Sequence, residues 1–255
     1  MRARSARPEA GGRRAVAIRG ILFDKDGTVI DYWRTWVPIN REVAVFAAGG
    51  NASLAAELLR LGGHDPGSDR ITAGTVLAAG SVDDIAGVFA AHLGERAPAG
   101  LAAGIERIFR AGGAKHSALI VGARATIAEL KARGFRIGLA TNDSIGGLEA
   151  SLARHDILDL FEFTVGCDSG LGAKPDPRMV LGFCRAVGLD RRQVAMVGDA
   201  VHDLAMGRAA GVGLNVGVLS GTSEREDLED FADVILPSIN ELLAHPEFGG
   251  GPTHG

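Results

Sequence analysis

The sequence predicts a doubly wound α/β fold: a mostly parallel sheet, with an α-helical module inserted after its first strand. Three observations carry that reading. Short runs of β-forming residues recur at 16–23, 135–140, 161–165, 194–197, 213–218 and 234–236. Segments with helical apolar spacing lie between the later runs, and strands alternating with helices imply a parallel sheet covered on both faces. From about Tyr32 to His116 the alternation stops, and Ala, Leu, Glu and Arg dominate.

The elements follow in order. Val16 to Phe23 is a strand that ends at an acidic loop. Helical spacing then runs through Trp36–Ala48, Ala52–Leu61, Val82–Leu93 and Leu101–Phe109, with breaks at Gly49-Gly50 and Gly62-Gly63. Ala123–Arg133 is a helix, and Gly134 stands where a glycine terminates one. Phe135–Ala140 is a strand, followed by a helix from about Gly146 to His155 and a short strand at Phe161–Val165. Asp176 as N-cap and Pro177 as first residue introduce a helix to Val187. Val194–Val197 is a strand, 203–210 a helix, and Gly213–Val218 and Val234–Leu236 complete the strand set. The expected organisation is an α/β core over 15–31 and 117–245, a helical module over 32–116, and disordered tails at 1–14 and 246–255.

Composition sets bounds. The 255 residues suffice for one large domain or two modest ones, and 46% hydrophobic residues can fill a sizeable core. A net charge of −4 and a pI near 6.0 give no footprint for nucleic acid. The cysteines, Cys167 and Cys184, lack metal-type spacing and suggest no disulfide framework. No apolar stretch is long enough to span a bilayer, and none of signal-peptide type follows Arg2, Arg4, Arg7, Arg13 and Arg14. A soluble, cytoplasmic protein is expected, with no nucleic acid or membrane as partner, acting as a monomer or homodimer.

Asp24-Lys25-Asp26-Gly27-Thr28 is the most informative stretch. Carboxylates two residues apart point to one side of an extended chain, and Gly27 lets the backbone turn away. Paired acids at the carboxyl end of a strand lie where open α/β sheets put their ligands. They can hold a hard cation, attack an electrophile or move protons. Two further strands also end in polar residues, Thr141-Asn142 and Asp199 with Asp203 beyond it, and Lys174 sits in a loop just before a helix. In a parallel sheet these ends share one edge. Carboxylates, a lysine and helix N-termini with free N–H groups would then meet there.

The ordered set Asp24-x-Asp26-Gly27-Thr28, Thr141-Asn142, Lys174-Pro175 and Gly198-Asp199-x-x-x-Asp203 resembles the haloacid dehalogenase superfamily over nearly all of 15–245. Its core is Rossmann-like, and the helical insert is similar to the cap of the phosphoglycolate-phosphatase-like subgroup. The resemblance implies a Mg²⁺-dependent phosphatase acting on a small phosphorylated metabolite. Asp24 would be the nucleophile that forms an aspartyl-phosphate. Asp26 would exchange protons with the leaving oxygen and the attacking water, and would bind the metal through its backbone carbonyl. Thr141 and the Asn142 backbone N–H would hold phosphoryl oxygens. Lys174 would pair with Asp24 and those oxygens, and Asp24 and Asp199 would ligate Mg²⁺. Asp203, expected on one helical face with Asp199, would hold a metal-bound water or orient Lys174.

Rival readings are a sugar phosphomutase using the same two acids and a non-catalytic protein that keeps the fold. Asp26 argues against a dehalogenase, and the absence of membrane helices, together with Asp26, excludes the transport ATPases. A phosphonate hydrolase would need an additional cap lysine for a Schiff base. His202 reads as a helix-surface histidine. Trp33 and Trp36 either wall the pocket or fill the cap. Arg34 reads as a solvated hinge arginine, with a second anionic group of the substrate as its alternative partner.

Overall fold

The computed structural model describes residues 16–250. In chain order these form β1 (Gly20–Asp24), α1 (Tyr32–Ala47), α2 (Ala52–Leu61), β2 (His64–Asp65), β3 (Arg70–Ile71), α3 (Val76–Ala79), α4 (Val82–Leu93), α5 (Leu101–His116), α6 (Ala123–Ala132), β4 (Arg136–Ala140), α7 (Ile145–Leu152), β5 (Phe163–Val165), α8 (Arg178–Val187), β6 (Val194–Gly198), α9 (Val201–Ala210), β7 (Leu214–Val218), α10 (Arg225–Leu228), β8 (Val234–Leu236) and α11 (Pro246–Gly249). The main sheet has the order β5-β4-β1-β6-β7-β8, and every pairing in it is parallel. The expected fold class is the one observed.

Alternation along the strands splits the core between the two faces of the sheet. Ile21, Phe23, Ile137, Leu139, Ala195 and Val197 pack on one face with Ile127 and Leu130 of α6 and Leu148 of α7. Leu22 and Met196 pack on the other with Val180 and Phe183 of α8 and Met206 of α9. β1 is buried throughout because it lies between β4 and β6 under helices on both sides. Cys167 is half-buried, Cys184 is buried, and both are free thiols.

A separate hydrophobic cluster holds the cap together, centred on Trp36, Ile39, Val43, Phe89, Ile105 and Phe109. α1 starts earlier than apolar spacing indicates, because Asp31 accepts a hydrogen bond from the Arg34 N–H and caps the helix. α5 continues past Phe109 to His116 despite Gly112-Gly113. A Cβ on Gly112 would stand 2.6 Å from Ile39, so the glycine allows close contact with α1, which repays its low helix propensity. The cap is not wholly helical. β2 and β3 form a small antiparallel ribbon whose turn is fixed by Asp65, which accepts from the N–H groups of Gly67 and Ser68.

The two connections between cap and core run side by side. Asp31 N–H donates to the Ala118 carbonyl (2.8 Å), Ile120 N–H to that of Val29 (3.0 Å), and Ala118 N–H to Thr35 Oγ1 (3.1 Å).

Other expected boundaries shift slightly. α8 begins at Arg178 with Pro177 as its cap, although Asp176 still accepts from the Arg178 N–H. α7 ends at Leu152 and tightens into a 3₁₀ turn to His155. Residues 1–14 and 251–255, both expected as tails, lie outside the described residues. The expected tail is nevertheless structured at 246–250: α11 buries Phe248, whose ring lies 5.7 Å from that of Phe135. The glycines that follow hid this anchor from a compositional reading. Phe248→Ala should lower unfolding free energy by about 3 kcal/mol in urea titration, the usual cost of emptying a buried aromatic site.

Candidate active site

Asp24 is the last residue of β1, and the flanking strands β4 and β6 end at Ala140 and Gly198. Parallel register therefore brings Thr141 and Asp199 out on either side of Asp24. All three are buried. Asp24, Asp199 and Asp203 offer carboxylate oxygens that lie within 4.8 Å of one another. Asp199 lies in the turn before α9, not on the helix, so the expectation of a shared helical face with Asp203 does not hold. The two converge because Asp203 folds back into the first turn of α9, where its Oδ2 accepts from the Ala200 N–H (3.1 Å).

Lys174 reaches this cluster from the loop before α8. Its backbone N–H donates to Asn142 Oδ1 (2.8 Å), which ties the loop to the end of β4. Its fully buried Nζ donates to Asp24 Oδ1 and to Asp203 Oδ1, the latter at 2.7 Å. Burial penalises the ammonium, but Asp203 and Asp24 outweigh that cost and hold Lys174 charged well above its ordinary range.

Three acids facing one lysine leave the cluster short of positive charge. Desolvation, and then the charge of Asp203, push the Asp24 carboxyl up to about 7 despite Lys174. Desolvation together with Asp24 and Asp203 raises Asp199 well above the usual carboxylate range. Asp203 is held low, because Lys174 and His202 overcome its own burial penalty. An oxygen-only donor set with excess negative charge fits a hard divalent cation. Asp199 is positioned for such an ion by close backbone. Thr222 N–H donates to its Oδ2 (3.0 Å), and a Cβ on Gly27 would stand 2.6 Å from its carboxyl group.

Asp26 does not join the trio. Its carboxylate turns to the neighbouring Lys25, with Nζ to Oδ2 at 2.9 Å, and it also accepts from Trp36 Nε1 on α1. Lys25 is wholly buried, pairs with Asp143 at 3.0 Å and lies 5.1 Å from the centre of the Trp36 ring. Desolvation opposes its charge, but Asp26 and Asp143 prevail and keep it protonated. Thr141 Oγ1 accepts from the Asp143 N–H (3.0 Å), which leaves its own hydroxyl hydrogen to donate elsewhere.

A cavity of about 450 Å³ opens between cap and core over these groups. Asp24, Asp26, Thr141, Asn142 and Asp199 line its core side, and Trp36, Leu77, Ile85 and Phe109 line its cap side. Lys174 and Asp203 stand behind Asp24, off the wall. Trp36 both fills the cap, edge-on to Phe109, and lines the cavity, so its two sequence readings are both correct. Trp33 instead packs under Arg70. Arg34 is exposed and away from the cavity. His202 is half-buried on the wall beside Asp203, with its pKa lowered by burial, so it is not a plain surface histidine.

Sequence reasoning missed four contributors: Asp143, the Ser220–Thr222 loop, Glu106 and Arg110. The first two were detectable by the rule that found the others, since both follow strand ends. Ser220 Oγ donates to the Gly27 carbonyl (2.7 Å). Glu106 and Arg110 lie on a cap helix whose pattern resembles any solvated helix face.

Comparison with known proteins agrees with this geometry. A family model for haloacid dehalogenase-like hydrolases matches residues 18–211. The chain is 28% identical to the phosphoglycolate phosphatase of Escherichia coli K12, over 89% of this chain and 91% of that protein. It is 30% identical to that of Cereibacter sphaeroides, over 76% and 82% respectively. The match to the Rhodospirillum rubrum enzyme, at 34%, spans about half of each chain (51% and 54%). Among solved structures, a predicted phosphoglycolate phosphatase from Haemophilus somnus superposes with a TM-score of 0.71 at 20% identity, covering 89% of this chain and 97% of that one. A likeness at that identity shows the fold. The chain belongs to the haloacid dehalogenase-like hydrolase family, and within it to the phosphoglycolate-phosphatase-like enzymes with a helical cap.

Two outcomes follow from the electrostatics. Lys25→Met leaves Asp26 and Asp143 facing one another with no cation between them, and should cost about 3 kcal/mol in denaturant unfolding. Asp24 has a folded pKa raised above its unfolded one. Its contribution to stability is therefore complete below about pH 4 and is lost as pH rises through about 7. The metal-free protein should melt at falling temperature between about pH 4 and 7, and a saturating divalent cation should remove most of that fall in calorimetric scans.

Proposed function

We propose that this chain is a Mg²⁺-dependent phosphatase that hydrolyses a small-molecule phosphate monoester, of the phosphoglycolate type, through an aspartyl-phosphate on Asp24. The observation that carries the reading is the placement of Asp24: a buried carboxylate at the cavity floor, held by Lys174 within a cluster of acids. A surface or scaffolding acid gains nothing from such a setting.

In the first step an Asp24 oxygen attacks phosphorus, and the bond from phosphorus to the ester oxygen breaks. Asp26, two residues on at the same cavity wall, gives a proton to the departing alcohol. In the second step Asp26 takes a proton from water, which attacks phosphorus and releases phosphate and Asp24. Thr141 donates its free hydroxyl hydrogen to a phosphoryl oxygen, beside the Asn142 N–H. Lys174 fixes the direction of the Asp24 carboxylate and offsets charge gathered at phosphorus from behind it. Asp24, Asp199 and the Asp26 carbonyl would hold Mg²⁺, while Asp203 holds Lys174. When bound, the ion would neutralise the repulsion between Asp24 and the phosphate dianion. The cap wall excludes water from the first step.

The test is phosphate release from p-nitrophenyl phosphate and a panel of metabolite monoesters with Mg²⁺, with and without chelator. Asp24→Asn should cut turnover by about 10³-fold or more while the circular dichroism spectrum is retained. Turnover near that of the wild type would remove Asp24 from the nucleophile role. Asp26→Asn should slow kcat by about 10²–10⁴-fold, with alkyl esters losing more than p-nitrophenyl phosphate, whose leaving group needs little protonation.

A further inference from the structure

We propose that Arg110 recognises a carboxylate at the end of the substrate remote from phosphorus, which makes it a specificity-determining residue of the site. This rests on the phosphatase reading above. Among the described residues, Arg110 is the only lysine or arginine on the cavity wall. It follows Phe109 on α5 and overhangs the start of α7, where a Cβ on Gly146 would stand 3.1 Å from Nη2. The bare glycine keeps that approach open.

The guanidinium is far from saturated. It carries five N–H donors in a fork, and among the described residues its one ion pair is with Glu106, long at 3.3 Å. Glu106 Oε1 is itself held from the core, because Ser144 Oγ donates to it at 3.0 Å. A substrate carboxylate can therefore replace Glu106 on Arg110 as a bidentate partner while Glu106 keeps its bond to Ser144.

The remaining charges on the wall make this location specific. Asp83 and Asp168 also line the cavity and repel a second anion elsewhere along it. A substrate with a phosphoryl group at one end and a carboxylate at the other has a single orientation in which both charges are met. Arg34, the arginine that sequence position suggested for such a contact, is out of reach.

The test measures binding as well as turnover. In the Asp24→Asn background with Mg²⁺, calorimetry gives Kd for 2-phosphoglycolate and for 2-hydroxyethyl phosphate, which has an alcohol where the former has a carboxylate. The background protein should prefer the carboxylate ligand. Arg110→Gln should cut that preference by about 10- to 100-fold, the range for hydrogen bonds to a charged group. Glu106→Gln keeps an acceptor for Ser144 but removes the competing charge, and should increase the preference. No preference in the background protein, or one unchanged within about twofold by Arg110→Gln or lowered by Glu106→Gln, overturns the assignment. Failure of the wild type to release phosphate from any monoester would sink the phosphatase reading alone, because the binding ratio still tests Arg110.

Discussion

The structure depends on an imbalance of charge in a dry place. Three carboxylates converge at the cavity floor, Asp203 behind the other two, and among the described residues Lys174 is the one lysine or arginine bonded within that cluster. Burying ions costs several kcal/mol each, and one lysine cannot offset three acids. The parallel sheet makes the cost unavoidable, because adjacent strands end at the same edge and their loops carry the acids there together. What the fold loses in stability it holds as affinity for positive charge and as an activated carboxylate.

A second ionic group stands beside the first and obeys different rules. Lys25 is bonded directly to both Asp26 and Asp143, so that cluster has one acid in excess where its neighbour has two. It ties the loop after β1 to the loop after β4, and Trp36 brings the first cap helix onto the same carboxylate. One half of the site is thus the better compensated and is tied across three elements, and the other is more strongly short of positive charge. The division falls between Asp26 and Asp24, which are separated by one residue.

Much of this was legible in the sequence. The strands, the insert after β1 and the four polar stretches each carried a local signal, either periodicity or a polar break after an apolar run. Asp24, Thr141, Asn142, Lys174, Asp199 and Asp203 meet because the topology leaves them no other edge. What the sequence did not disclose depended on packing between distant elements. Gly112 reads as a helix breaker until Ile39 is seen against it. Phe248 reads as part of a glycine-rich tail until Phe135 is seen beneath it. Lys25 carries no sign in the sequence of the two acids and the indole that enclose it. Arg110 could not be told from the other arginines of the cap, since only the crossing of α5 over α7 gives it a role.

The paired backbone connections between cap and core have a mechanical consequence. Two unconnected tethers would let the cap slide, tilt and twist over the sheet. Here the outgoing and returning segments are bonded to each other from Val29 to Ile120, so they bend together as one ribbon. Any rotation of the cap would therefore centre on that ribbon, and the crossing of α5 over α7 lies beside it, since Ser117 Oγ donates to the Ser151 carbonyl (2.6 Å). The Trp36 indole follows Thr35 of the ribbon by one residue, so its contact with Asp26 sits at the pivot.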